Sequence, residues 1–185
     1  MGRMVAILLG ALALVSCSGA SGVSPPVAAR STGTLSDFEF VAELARYEEV
    51  SLGEALRLVH LSVGDGAFEP ETARRSACEL GWVDQDQKLE GTLTYGQAGR
   101  LYAGLCDLEG NLFLRLFGSS ERYGLRECQR LGFLDAASPG QSVPGSVLMT
   151  AQSQADEHLR QAVVDPDSPL ARFKASLRMS EDKKP

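Results

Sequence analysis

SLGEALRLV (51–59) and TYGQAGRLY (94–102) are the same sentence written twice: hydroxyl, any residue, Gly, Glu or Gln, Ala, any residue, Arg, Leu, at an offset of 43. Both read as helix starts. Ser51 with Glu54, and Thr94 with Gln97, have the spacing of a capping box. In such a box the hydroxyl accepts from the amide three residues on, and the acid or amide reaches back to the cap amide. A weaker third copy, VPGSVLMT (143–150), keeps a glycine at Gly145, loses the box, and places Val143 and Ser146 at the equivalent positions. A second repeat runs alongside the first. ELGWVD (79–84) recurs as RLGFLD (130–135), and in each the glycine, Gly81 or Gly132, suits the left-handed turn that ends a helix. Trp82 and Phe133 then fold back as apolar plugs. The repeating unit is a helix, a Gly-aromatic stop, a loop and a second helix, with FEFVAELARY (38–47) leading the first copy.

Working outward, apolar residues recur at spacings of three and four in DFEFVAELARY (37–47), ALRLVHL (55–61), TARRSACELGW (72–82), QAGRLYAGLC (97–106), RYGLRECQRLGF (122–133) and SVLMTAQSQADEHL (146–159). Only NLFLRLF (111–117) has enough bulky apolar residues for a strand, and even it suits a short helix slightly better. The expected fold is therefore all-α: a small helical-repeat domain of about three helix-loop-helix units sharing a core. It occupies residues 36–164, and residues 165–185, with three prolines and a charged end, form a weakly ordered tail with one short helix around residues 170–177.

The repeats resemble those of the S-layer homology domain family, above all in ACELGWVD followed by LTYGQAGRLYAGL, and in RECQRLGFLD followed by Pro144-Gly145. The resemblance implies three units arranged with pseudo-threefold symmetry and a role in holding cell-wall polymers. In that family the second helix commonly opens Thr-Arg-Ala-Glu, with the Arg helping to hold the anionic glycan. Here Thr94, Tyr95, Gly96 and Gln97 stand at those positions.

At the other end of the chain, Arg3 precedes a continuous apolar run, MVAILLGALALV (4–15), and then LVSC (14–17). The run is well short of the roughly 20 residues that span a hydrocarbon core, and it reads as a signal peptide covering residues 1–16. LVSC resembles the lipobox of bacterial lipoproteins, which implies that Cys17 is acylated and becomes the first residue of the mature chain. Two or three acyl chains, each buried methylene contributing about 0.8 kcal/mol, hold a protein firmly on a membrane. Ser18 stands in place of the Asp of inner-membrane retention in enteric bacteria, so the outer membrane is the expected location. Residues 17–35 are rich in Ser, Gly, Ala and Pro without apolar period and form a flexible tether. Fully extended, they reach about 60 Å.

Charge narrows the partners. The formal charge is −6, and it becomes more negative when Arg3 leaves with the signal, which disfavours nucleic acid and anionic lipid as partners. Beyond Cys17 three cysteines remain, Cys78, Cys106 and Cys128. Either Cys106 and Cys128 form one bridge across LFLRLF, or all three are buried thiols.

Candidate ligand residues follow from spacing. Arg122, Arg126 and Arg130 step by four along one helix and suit a sugar acid or phosphate. The more ordinary alternative is a solvated face paired with Glu121 and Glu127. Trp82 and Tyr95 suit a sugar ring, against the plain alternative of core packing. His60 and His158 lack partners at zinc spacing, and DQDQK (84–88) begins like a calcium loop but puts Lys88 and Leu89 where an oxygen ligand and a glycine belong. No metal or cofactor is expected. The chain has no Gly-x-Ser-x-Gly elbow, phosphate-cradling glycine loop or His-Glu-x-x-His. The expectation is a lipid-anchored envelope protein whose domain binds wall glycan or another envelope protein. An envelope enzyme such as a wall hydrolase, its carboxylates converging only in the fold, is the alternative.

Overall fold

The computed structural model describes residues 35–63, 67–108, 120–161 and 168–181. Cys17, the signal, most of the tether and NLFLRLF lie outside the described residues. Within them the structure is helical: α1 (Asp37–Leu44), α2 (Leu52–Val63), α3 (Pro70–Glu79), α4 (Tyr95–Leu105), α5 (Glu121–Arg130), α6 (Gly145–Gln161) and α7 (Pro169–Glu181). None of these helices is long and apolar enough to cross a membrane.

The helix starts are those written in the repeats. Ser51 N–H donates to Glu54 Oε2 at 2.7 Å and Glu54 N–H to Ser51 Oγ at 3.1 Å, opening α2. Thr94 and Gln97 make the matching pair of bonds at 3.0 and 3.3 Å, opening α4. Ser36 with Glu39 forms a third box at the start of α1. The stops also hold. Gly81 and Gly132 have φ of +74° and +78°, and each lets the following aromatic amide reach back into the helix, Trp82 to Ala77 O at 2.9 Å and Phe133 to Cys128 O at 2.8 Å. Both rings are buried.

What joins the three units is a closed ring of backbone hydrogen bonds. Leu93 N–H donates to Val50 O at 2.8 Å, Val143 N–H to Leu93 O at 3.0 Å, and Val50 N–H to Val143 O at 3.1 Å. All three residues are fully buried. The first amides of each second helix, which have no partner inside their own helix, continue this pairing. Leu52 and Gly53 donate to Gly91 O and Leu89 O, Tyr95 and Gly96 to Gln141 O and Pro139 O, and Gly145 to Tyr47 O. Each unit thus caps its second helix on the loop of the next unit, and the third returns to the first.

The ring corrects the register of the third copy by one residue. Val143 is the partner of Val50 and Leu93, so Pro144 stands where Ser51 and Thr94 stand. Leu148 N–H bonds Pro144 O, as Ala55 bonds Ser51 O and Ala98 bonds Thr94 O. Proline brings neither hydroxyl nor N–H, so no box can form there. Gly145 is required for a reason of its own: a Cβ on it would lie 1.7 Å from Leu44 O.

The core collects Phe40 and Leu44 from α1, Leu56 and Val59 from α2, Leu101 and Tyr102 from α4, and Leu148 and Ala151 from α6. The segment expected to be a weakly ordered tail contributes as well. α7 exceeds the expected short helix, and its Phe173 and Leu177 are buried; the Phe173 ring lies 5.1 Å from that of Trp82. Ser176 Oγ bonds Ser76 Oγ on α3 at 2.8 Å.

Candidate functional site

α5 presents the arginine stripe. Ser120 caps the helix by accepting from Tyr123 N–H, and Gly124, Leu125 and Cys128 are buried on its inner side. The packing against α4 is backbone to backbone, since a Cβ on Gly99 would fall 2.4 Å from Leu125 Cα. Arg122, Arg126 and Arg130, four residues apart, are exposed. They do not behave alike. Arg130 donates to Glu127 Oε1 from Nε at 2.9 Å and from Nη2 at 2.5 Å, and Glu127 is buried while Arg130 is exposed. This bond, with the charge of Glu127, raises the guanidinium's pKa above its ordinary value. Arg122 and Arg126 have no ion-pair partner among the described residues.

Arg130 also borders a cleft of about 260 Å³ with Asp107, Leu108, Glu127, Leu131 and His158. Asp107 has φ of +46°, just past the end of α4, and the His158 ring meets Phe133 edge-on at 5.8 Å. Two carboxylates border this cleft, but Glu127 is already engaged by Arg130, so the arrangement is an ion pair beside an imidazole. Among the described residues no group of three or more His, Cys, Asp or Glu is placed to hold a metal ion.

The aromatic pair is corrected. Trp82 and Tyr95 are 2% and 4% exposed, so neither offers a face to a sugar. Trp82 lies against α4 where Gly104 leaves room, a Cβ there falling 2.1 Å from Cδ1 of the indole. Tyr95 is the first residue of α4, and its backbone N–H donates to Gln141 O of the next unit at 2.9 Å. The structure therefore does not join arginine and aromatic groups into one mixed surface.

The Cys106–Cys128 bridge is corrected too: Cys78, Cys106 and Cys128 are all free thiols. Cys128 donates to Gly99 O at 3.4 Å, using its sulfur in the α4–α5 contact. Burial pushes the Cys106 thiol up to about 12, and burial raises Cys128 as well, with further contributions from Cys106 and Glu127. Such thiols carry almost no thiolate near neutral pH.

Two arginines of the repeat have roles that spacing alone did not assign. Arg57 is buried, donates through Nη2 to Leu35 O at 2.6 Å and to Asp37 Oδ1 at 2.9 Å, and lies 4.4 Å from the centre of the Phe40 ring. Arg100, its equivalent, donates through Nε to Gly81 O at 2.9 Å and through Nη1 to Asp84 Oδ1 at 2.5 Å. Arg57 thus ties α2 to the start of α1, and Arg100 ties α4 to the turn that ends α3. Their recurrence at one place in the two copies was the available signal.

No family model, curated protein or solved structure matches the chain.

Proposed function

We propose that this chain is a lipid-anchored bacterial envelope protein whose helical domain is a non-catalytic binding module, taking an anionic cell-wall polymer or an acidic envelope protein on the α5 face. The observation that carries the reading is the pair Arg122 and Arg126, exposed on a helix fixed by backbone-to-backbone packing and without an ion-pair partner among the described residues. Guanidinium groups on a rigid support supply forked donors to carboxylate or phosphate. The sequence supports the rest of the reading: LVSC ending the apolar run for the anchor, residues 17–35 for the tether, and the S-layer homology resemblance for the wall. The closed ring of three units agrees with the symmetry that this resemblance implies. Tyr95, in place of the family's arginine, moves the cationic surface from the start of α4 to α5.

Co-sedimentation with purified peptidoglycan sacculi, alongside pull-down from envelope extract, tests the binding. Arg122→Ala with Arg126→Ala should weaken retention several-fold more than Lys88→Ala, an exposed cation elsewhere, and added salt should weaken it further. Retention unchanged in the folded double variant, on sacculi and on protein partners alike, removes the reading. Metabolic labelling with a fatty-acid probe tests the anchor separately, since Cys17→Ser should abolish it.

A further inference from the structure

A second region, remote in role from the arginine stripe, lies where the ends of α2 and α6 meet α7. These elements line a half-open pocket of about 370 Å³, within the range of roughly 300–1,000 Å³ common for small-molecule sites. Its apolar wall is Val63, Leu159, Leu170 and Ala171, and Asp156 and Lys174 supply charge on the same lining.

Asp156 is held in place from behind. Its Oδ1 accepts from Gln152 Nε2 at 2.8 Å and from Ser62 Oγ. Gln152 is itself buried, and its Oε1 accepts from the fully buried Tyr102 hydroxyl at 3.2 Å. The hydroxyl, amide and carboxylate form a polar line from the core to the cavity. Both bonds to Asp156 land on Oδ1, which leaves Oδ2 to accept from a ligand. Of the two cations on the lining, Arg160 pairs with Glu157 at 3.2 Å. Lys174 is half-buried and has no ion-pair partner among the described residues. One oriented carboxylate, one ammonium and an apolar wall complement a molecule with the opposite charges and an apolar side chain.

We infer that this cavity binds the α-ammonium and α-carboxylate of a free apolar amino acid or short peptide, the ammonium on Asp156, the carboxylate on Lys174, and the side chain on the Val63, Leu159 and Leu170 wall. The site uses none of the α5 arginines and does not depend on the binding function proposed for them.

Titration of the purified full chain in detergent, followed by calorimetry and by amide chemical shifts, tests it. The probes are leucine, alanyl-leucine, N-acetyl-alanyl-leucine and alanyl-leucine amide. Saturable binding of leucine or alanyl-leucine is expected, with shifts centred on Ser62, Asp156 and Lys174, and the two arms tell a free amino acid from a peptide. Blocking either terminus should weaken binding by about tenfold or more. Asp156→Asn, which preserves shape, should abolish the preference for a free amine, and Lys174→Met the preference for a free carboxylate. If Asp156→Asn unfolds, Lys174→Met and the blocked probes still decide. No saturable binding by any probe overturns the inference, as does binding that the blocked termini and Lys174→Met leave unchanged.

Discussion

The second and third units have the same architecture and reach it by different means. In the second, Thr94 and Gln97 box the start of α4, and Arg100 ties that helix to the Gly81 turn and Asp84. In the third, Pro144 replaces the cap and Thr150 stands where Arg100 would, its hydroxyl bonded only to Ser146 O within its own helix. Yet Val143 closes the ring as fully as Leu93 does, and Gly132 ends α5 as Gly81 ends α3. The contrast teaches that the ring and the glycine stops set the geometry, while boxes and arginine ties add stability to units that possess them.

The largest expected effect lies in the unit that lacks both the box and the arginine tie. Gly145→Ala puts a Cβ 1.7 Å from Leu44 O, so backbone must move, and the loss should be about 3 kcal/mol or more. At Gly53 the nearest atom to a new Cβ is Leu89 O at 3.3 Å, so Gly53→Ala should be close to neutral, helix propensity offsetting the tight contact. Urea unfolding of both variants measures the difference, and similar losses would break the contrast.

Next in size is the arginine tie. Arg100→Met removes two bonds, but Asp84 is half exposed, which limits the loss to about 1–2 kcal/mol. Ser51→Ala and Thr94→Ala should each lower stability by about 1 kcal/mol, the usual effect of a lost cap, and leave retention on sacculi unchanged at temperatures where the domain is folded. Smallest is the reciprocal change. Thr150→Arg offers the third unit the missing tie, towards the turn at Gly132 and Asp135, and should raise stability by up to about 0.5 kcal/mol. A loss there would show that the third unit has no acceptors placed for it.

The same contrast explains what the sequence made legible. Boxes and glycine stops are local devices whose partners lie within a few residues, so Ser51, Thr94, Gly81 and Gly132 announced their roles. The third register did not announce itself, because Pro144 erased the local marker and Gly145 invited alignment with Gly53 and Gly96 for a contact that it does not make. Only the pairing of Val143 with residues far away in sequence fixes it. Trp82 and Tyr95 were ambiguous for a related reason: an aromatic residue beside a helix end can face either way, and for Trp82 the direction is decided here by the room at Gly104 and by Phe173 of α7. Burial of Phe173 and Leu177 likewise depends on a surface built by another unit. At the candidate site the exposure of Arg122 and Arg126 followed from helical spacing. The ion pair of Arg130 was legible only as an alternative, and the polar line from Tyr102 to Asp156 joins helices that no spacing rule connects.

Hydrogen exchange at three amides tests the closed ring most directly. If Val50, Leu93 and Val143 bind one another in a cycle at the buried centre, none of their amides opens without dissolving the contacts of all three units. Their exchange free energies should then agree with each other and with the global unfolding free energy from urea. Exchange at Val143 through a local opening well below the global value, while Val50 and Leu93 remain protected, would contradict the ring and make the third unit an appendage of the other two.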